Sequence, residues 1–265
     1  MITYKPRRVS FEDNKTPVMY NSEIDELAHA ILSDYNPELL RQPSRINAEH
    51  FLEQYLGANI QFHDIYNDEP GYPILALTTF TQGAVRIFDQ ENERISTVVV
   101  PERTVIIDNS ILEKGKEGLA LFTQLHEGGH LVLHWNVFAD EDDREGVVDT
   151  TEAAIFCRRE SIENSNTSKD IRSVKEWQEH QADYFAAAIA MPNATFRPLV
   201  NRFLRDNNVY KGYIRLGIDP DLDILAHDIL PEYISETYGV SKRAARIKLR
   251  KSKFVAATGA KQLYF

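Results

Sequence analysis

The feature that most constrains this chain is a pair of histidines, His126 and His130, inside a segment with a helical pattern of apolar residues. The pattern predicts one helix from near Lys116 to about Trp135. Residues four apart in a helix share one face and stand about 6 Å apart along the axis, so the histidines form a face nearly opposite the apolar stripe. Such a helix must be covered on both sides. The segment therefore predicts the floor of a cleft.

The residue after the first histidine is Glu127, which completes the pattern His-Glu-x-x-His. His126 and His130 can close on one metal ion, and Glu127 flanks that face, where an activated water would lie. This spacing is the pattern of the zinc peptidases. Because the pattern also arises by chance, the rest of the chain has to decide between the two interpretations.

A catalytic zinc ion needs three protein ligands and an open fourth position, so a third ligand has to be found. His134 is four residues beyond His130, but it lies about 6 Å further along the axis and is turned away from a metal held by the first two histidines. The spacing of the metzincins requires a histidine ten positions after His126, and Asn136 stands there. The third ligand must therefore come from another part of the chain.

The best candidates are Glu179 and Asp183, which share one face of a helix predicted over residues 174–191. One carboxylate can be the third ligand, and the other can accept the proton-bearing ring nitrogen of a ligand histidine. Ala186 and Ala190 continue the same face. An amphipathic helix with two surface acids would show the same pattern, but carboxylates among small apolar residues are unfavourable in a core unless they are paired. Together with the histidine pair, this face favours a metal site.

Composition and charge bound the class of protein. The formal net charge of −10 argues against broad nucleic-acid binding by the whole molecule. No apolar run is long enough to cross a bilayer, and the first residues lack the apolar core of a secretory signal. Cys157 is the only cysteine, so it can form no internal disulfide, which fits a reducing cytoplasm. We therefore expect a cytoplasmic protein with no membrane partner.

The hydrophobic pattern along the chain predicts a mixed α+β fold. Helical spacing begins at Ser22, and a second helix is predicted from about Ile46 to Tyr55. Between residues 60 and 109, β-branched and alternating runs predict a small, mostly antiparallel sheet of four or five strands. We expect the chain to be organised in three parts: an N-terminal arm over residues 1–20, the domain with the metal site over residues 21–195, and a helical region over residues 196–265.

The segment over residues 136–176 is polar and is predicted to be an inserted loop with one short helix near Glu152–Glu160. Its acidic run, Asp140–Asp143, is interpreted as a solvated surface. A calcium loop would need a glycine and a terminal glutamate that this run lacks.

Two blocks of the sequence, Thr123–His134 and Glu179–Pro192, resemble the ImmA/IrrE zinc metallopeptidases, and the resemblance extends over roughly residues 22–254. These peptidases are gluzincins, whose third zinc ligand is a glutamate. The resemblance implies a zincin-like domain followed by a helical region. It also implies a role for each site residue: zinc ligation by His126, His130 and Glu179, general-base catalysis by Glu127, and support of a ligand histidine by Asp183.

The resemblance also implies a substrate class, because members of this family typically cleave helix-turn-helix transcriptional repressors, often of mobile elements or stress regulons. Two departures from the family pattern bear on the shape of the cleft. Gly128 stands where a large aliphatic residue is usual, and the loop between Val132 and Trp177 is long. The two adjacent glycines, Gly128 and Gly129, each cost about 1 kcal/mol inside a helix. We expect Gly129 to admit the Ala186 face of the second helix and Gly128 to open room on the core side.

Peptide-bond hydrolysis at this site predicts roles for further residues. Zinc lowers the pKa of a bound water from about 15.7 toward 7 and polarises the carbonyl, while Glu127 takes the water proton and hands it to the leaving amine. The substrate is expected to add as a strand to the sheet edge Ala84–Phe88. The group that stabilises the oxyanion should follow Glu179 in the chain. Three candidates lie there: Tyr210, Tyr213 and His227.

The segment over residues 234–253 has the order helix, glycine turn, serine cap and basic helix, which is similar to a helix-turn-helix motif. It predicts either DNA contact or a helical pair packed on the peptidase lobe, and the family resemblance favours the second. Two function classes follow. The first is a zinc endopeptidase that acts on a repressor, and the second is a regulatory DNA- or protein-binding module with a vestigial or structural zinc site. Glu127 favours the first class, because a structural site has no use for a base.

Overall fold

The computed structural model describes the side chains and backbone of residues 16–67, 73–138 and 173–256, and the backbone of residues 148–149 and 154–158. The predicted N-terminal arm falls largely outside these ranges, and so does the acidic run Asp140–Asp143. Among the described residues, no helix is both long and apolar enough to span a bilayer.

The helices are labelled here in chain order. They are α1 (Asn21–Tyr35), α2 (Ala48–His50), α3 (Glu117–Leu133), α4 (Trp135–Phe138), α5 (Val174–Ala190), α6 (Asn193–Asp206), α7 (Pro220–Ile224), α8 (Leu230–Tyr238) and α9 (Lys242–Lys251). Single π-helical turns follow α2 and join α7 to α8, at Phe51–Tyr55 and Leu225–Ile229. The two helices predicted to carry the site are confirmed as α3 and α5.

The strands are β1 (Asn59–His63), β2 (Ile74–Thr79), β3 (Gly83–Asp89), β4 (Arg94–Val100), β5 (Thr104–Asp108), β6 (Val148–Asp149), β7 (Ala154–Arg158), β8 (Ile214–Arg215) and β9 (Val255–Ala256). A four-stranded sheet has the order β1-β5-β2-β7, with β1 parallel to β5 and the other pairs antiparallel. In a three-stranded sheet of order β4-β3-β6, β3 is antiparallel to β4 and parallel to β6. Strands β8 and β9 form a short parallel pair. The α+β class is confirmed, although the strands form separate sheets rather than one.

The four-stranded sheet lies between α3 and the three-stranded sheet. Neighbouring residues of a strand point to opposite faces, and β2 shows this directly. Leu77 packs into a small core with Val85 and Ile106, which joins the two sheets. The next residue, Thr78, points the other way and reaches Glu127 on α3. The strand therefore supplies a hydroxyl to the site from a position that is fully buried.

The prediction of a short helix near Glu152–Glu160 is wrong. The backbone of residues 154–158 is strand β7, which pairs antiparallel with β2. Ile155 and Phe156 have β-branched and aromatic side chains that favour strands, and the open edge of β2 provides the backbone partners. Pairing with a distant strand decided the structure of this segment, and the periodicity of a short polar region could not indicate it.

The expectation that Ala84–Phe88 forms a free sheet edge is also wrong. Strand β3 is the central strand of its sheet, paired with β4 along its whole length and with β6 at Gly83 and Ala84. Further along its second edge, the amide of Tyr66 donates to the carbonyl of Arg86 at 3.0 Å. Both edges of β3 therefore already have backbone partners, so no substrate strand can be added there.

The two adjacent glycines let α3 pack closely on both of its sides. A Cβ on Gly129 would lie 3.0 Å from the Cα of Ala182 on α5, and a Cβ on Gly128 would lie 3.0 Å from Leu52 Cδ2. The expected functions of the glycines are confirmed, but the residue of α5 at the closest approach is Ala182, one turn before Ala186. The prediction named the correct helix face and misjudged the position along it.

The C-terminal helical pair has the order of elements that the sequence predicted. Gly239 ends α8 with φ of +69°, a left-handed conformation that glycine adopts at little cost. The Ser241 hydroxyl then caps α9 by accepting from the Ala244 amide at 3.1 Å. Apolar residues of both helices, such as Tyr238 and Leu249, belong to the same core cluster as residues of α1 and α5. The division of the chain at residue 195 stays a prediction.

Candidate metal centre

Three side chains from two helices converge at the interface between α3 and α5. The Nε2 atoms of His126 and His130 lie 2.9 Å apart. Glu179 Oε2 lies 3.4 Å from Nε2 of His126, and Glu179 Oε1 lies 3.7 Å from Nε2 of His130. Tetrahedral zinc with ligand bonds of about 2.0–2.1 Å separates its ligand atoms by about 3.3 Å. These spacings therefore suit three donors to a single metal ion, and the three residues form a group that could hold one.

The carboxylate of Glu179 has the strongest need for a ligand. Both of its oxygens are buried, and neither has a hydrogen-bond partner among the described residues. A buried carboxylate without a partner is costly, since it loses its hydration without compensation. Its oxygens lie beside the two histidine nitrogens, where a cation would satisfy them. The donor set of two imidazoles and one carboxylate fits zinc or a similar divalent metal.

Asp183 holds the first histidine in place. Its Oδ1 lies 2.9 Å from Nδ1 of His126, which leaves Nε2 of that ring directed at the site. A ligand histidine that donates its second ring nitrogen to a carboxylate has a fixed tautomer and a more basic ligand nitrogen. The predicted contact between Asp183 and a ligand histidine is present, one turn of α5 beyond Glu179.

The second histidine is held by a chain of contacts that the sequence analysis missed. Nδ1 of His130 lies 2.9 Å from Nδ1 of His134, and Nε2 of His134 lies 3.0 Å from Oε1 of Gln181. The amide of Gln181 in turn donates to the carbonyl of Pro17 at 2.7 Å. His134 does not contribute to the metal group, as the spacing predicted, but it orients a residue that does. The same spacing of four residues that excludes His134 as a ligand makes it a neighbour of His130.

Burial keeps this histidine chain uncharged. The pKa of His130 is well below its ordinary value and the pKa of His134 is lowered to about 4, in both cases mainly because burial disfavours the charged ring. The nearby histidines lower both values further. A neutral imidazole is the form that binds a metal ion. At neutral pH, therefore, no proton competes with a metal for these rings.

Glu127 is fully buried beside the metal group and is held at one oxygen. The Thr78 hydroxyl donates to its Oε2 at 2.5 Å, while Oε1 has no hydrogen-bond partner in the part of the chain that the structure describes. Burial raises the pKa of Glu127 to about 7, against the opposing effects of His126 and Thr78. The sequence offered one signal for Thr78, because a hydroxyl inside the apolar run of β2 needs a polar partner.

The three residues predicted to stabilise an oxyanion do not meet at this group. Tyr210 is 76% exposed and its hydroxyl donates to Asn208. Tyr213 and His227 are partly buried. Among the described residues, none of the three makes a hydrogen bond to the metal group or to Glu127, so their role stays a prediction.

The fold and the site define a mixed α+β protein with a two-helix metal group and a buried glutamate beside it. Residues 139–250 match the peptidase family Peptidase_M78, described as the IrrE N-terminal-like domain. Over this stretch the chain is similar to the IrrE N-terminal-like family, which confirms the predicted resemblance to the ImmA/IrrE metallopeptidases. The matched range contains Glu179 and Asp183. It begins after α3, so His126 and His130 lie outside it and reach the two carboxylates through the packing of α3 on α5.

Two other comparisons give no closer identification. A solved structure of a Mycobacterium tuberculosis transcriptional regulator is similar to this chain with a TM-score of 0.40 and 11% sequence identity, over 86% of this chain and 48% of that one. This chain thus spans about half the length of that regulator. Among curated proteins, no match to the sequence was found.

Proposed function

We propose that this chain is a zinc-dependent endopeptidase, with zinc held by His126, His130 and Glu179 and with Glu127 as the general base. The observation that carries the proposal is that the two oxygens of Glu179, which have no hydrogen-bond partner among the described residues, lie beside two facing histidine nitrogens. The position of Glu127 next to this group supports hydrolysis rather than a purely structural role. The lone Cys157 is the reason to propose a cytoplasmic location.

The proposed reaction is the hydrolysis of a peptide bond by water. Zinc would supply Lewis-acid activation of the water and of the scissile carbonyl. Glu127 accepts the water proton at Oε1, the oxygen that Thr78 leaves free, as the water oxygen bonds to the carbonyl carbon. It then delivers that proton to the amine nitrogen as the carbon–nitrogen bond breaks. Because Thr78 holds the other oxygen, the carboxylate keeps one orientation throughout. The group that binds the oxyanion would be Tyr210, Tyr213 or His227.

The proposed substrate is a helix-turn-helix transcriptional repressor, as the family resemblance implies. A repressor cleaved in an extended conformation needs a sheet edge beside α3. Strand β3 is excluded as that edge. In the sheet that α3 covers, β7 is an outer strand, and in the described strand order β7 pairs only with β2. Its second edge is therefore the position we propose for the substrate backbone.

The alternative function, a regulatory module that binds DNA through α9, has less support. Two of the bases of that helix pair with groups of the chain itself, and a third is buried. Lys242 pairs with Glu232, Arg246 donates to the carbonyl of His227 and Lys248 is buried. These contacts favour a helix that packs on the rest of the chain over a helix that presents its bases to phosphates.

The decisive experiment compares the native chain with Glu127→Gln. Purified helix-turn-helix repressors, starting with any encoded beside this gene, are incubated with each protein, and fragments are identified by mass spectrometry. We expect Glu127→Gln to bind zinc in the same ratio as the native chain and to lose cleavage by a factor of about 10² to 10⁴. Glu53→Gln, which removes an exposed carboxylate, is the matched control and should cleave normally. Undiminished cleavage by Glu127→Gln would refute the mechanism.

A further inference from the structure

A second site lies beside the metal group, further along α5, where α9 packs against the rest of the chain. A cavity of about 290 Å³ separates α9 from α3, α5 and α6. Leu119 and Phe122 of α3 and Ala187 of α5 line one wall with apolar surface. The wall formed by α9 and α6 is cationic. Its charged side chains are Arg197, Arg243, Lys248 and Lys251.

Among the cations of the cavity, Lys248 has the environment that most requires a ligand. Its side chain is only 6% exposed, and within the described ranges its Nζ makes no hydrogen bond or ion pair. The rings of Tyr184 and Phe196 lie near it, with centroids 6.0 and 5.8 Å from Nζ. Ring faces at that distance compensate little of the hydration that a buried ammonium loses. Burial lowers the pKa of Lys248 to about 8 against the opposing effect of Asp25, and Arg197 adds a smaller lowering.

The cavity has fewer acidic side chains than cationic ones. Two carboxylates, Asp25 and Asp183, line it. Asp25 accepts the hydroxyl hydrogen of Tyr184 at 2.9 Å, and Asp183 is engaged by Nδ1 of His126 at 2.9 Å. Arg197, Lys248 and Lys251 outnumber these two carboxylates, and of the three cations only Lys248 is buried. An anion would complete the site.

We propose that this cavity binds a small organic phosphate, with the phosphate at Lys248, Lys251 and Arg197 and the apolar body against Phe122 and Leu119. A cavity of this volume, enclosed by helices and lined on one side by apolar groups, is of the size that takes small molecules. The combination of a cationic wall and an apolar wall selects an anion that carries an apolar body over a bare inorganic ion.

The test uses isothermal titration calorimetry on the full chain at constant ionic strength, with phenyl phosphate and inorganic phosphate as probes. We expect saturable binding of both, with phenyl phosphate the tighter ligand because its ring reaches the apolar wall. Lys248→Met should weaken both by at least about tenfold, since it removes a charge-assisted hydrogen bond to the phosphate. Arg197→Gln provides a second variant on a different helix with the same expected direction.

The matched control is Arg250→Gln, which removes an exposed positive charge from the same helix outside the cavity. It should bind both probes as the native chain does. Absence of saturable binding in the millimolar range would overturn the proposal. Equal weakening in Arg250→Gln and Lys248→Met would also overturn it, because the probes would then respond to the general charge of α9.

Discussion

The candidate metal centre and the basic cavity are neighbours along α5, and each contains a buried charged side chain with no hydrogen-bond partner among the described residues. In the candidate metal centre this side chain is Glu179, whose two oxygens are buried, and in the cavity it is Lys248, which is 6% exposed. The two groups have opposite charge, so they favour a cation at the first site and an anion at the second. Asp183 contributes to both sites, because it contacts His126 and also lines the cavity.

The two sites differ in how their side chains are held. Each histidine of the metal centre has a fixed neighbour at its second ring nitrogen, Asp183 for His126 and His134 for His130. Lys248 has ring faces near it and, within the described ranges, no such neighbour. A metal ion requires fixed directions for its ligands, whereas a phosphate accepts donors from many directions. The contrast teaches that burial alone does not distinguish the two proposed sites, whereas the support of each side chain does.

The largest effect that separates the two sites is expected on stability. Below pH 8, Lys248 is charged in both the folded and the unfolded chain, and the folded state bears the cost. As pH rises from about 8 to 10.5, the folded chain loses this proton first, so the cost disappears. Lys248→Met should therefore raise the free energy of unfolding at pH 7 by up to about 3 kcal/mol. Urea titrations at pH 7 and near pH 10.5 measure the gain, which should vanish at the higher pH.

Arg250→Gln again serves as the control for this experiment, since its exposed side chain carries no burial cost. If Lys248→Met destabilised the chain at pH 7, the ammonium would have a partner that compensates its burial. The contrast between the two sites would then fail.

The next effect concerns the support of His126. Asp183→Asn keeps an oxygen that can accept from Nδ1 but removes the negative charge, so zinc affinity should fall by about 10- to 100-fold. Competition with a chromophoric zinc chelator measures it. Asp25→Asn is the matched control, because Asp25 also lines the cavity and accepts a hydrogen bond but does not touch His126. Equal losses in the two variants would show that cavity charge, and not histidine support, sets the affinity.

The sequence sufficed to predict the ligand-bearing helices because their information is local. His126 and His130 share a face by helical spacing alone, and Glu179 and Asp183 do the same on α5. The predicted contact between Asp183 and a ligand histidine needs only one further assumption, namely that the histidine face of α3 packs on the carboxylate face of α5. These parts of the site needed only helical periodicity and the rule that buried charges must be paired.

The remaining parts depend on contacts between distant segments. Thr78 reaches Glu127 across 49 positions of sequence, and Gln181 reaches His134 across 47. Residues 154–158 form a strand because β2 offers an edge, which no local pattern shows. The cationic cavity exists only once α9 is packed against α5. A helical wheel of α9 indicates a basic helix, but it does not indicate that Lys248 is buried.

The smallest expected effect tests the close packing of α3 on α5. A Cβ at Gly129 would lie 3.0 Å from the Cα of Ala182, and backbone cannot move aside easily. Gly129→Ala should lower the free energy of unfolding by about 1–3 kcal/mol, offset in part by the higher helix propensity of alanine. At Gly128 the nearest atom is the end of the Leu52 side chain, which can rotate away. Gly128→Ala should therefore cost less than Gly129→Ala in urea titrations.

The two alanine variants also distinguish crowding from metal geometry. Gly129 lies on the side of α3 that faces the α5 backbone, so Gly129→Ala should separate the two helices and weaken zinc binding. Gly128→Ala acts on the side of α3 that faces Leu52 and should leave zinc binding unchanged. Equal loss of stability in both variants, with zinc binding intact in both, would show that the distance between α3 and α5 is set elsewhere. The interface at Ala182 would then not be what fixes Glu179 against the two histidines.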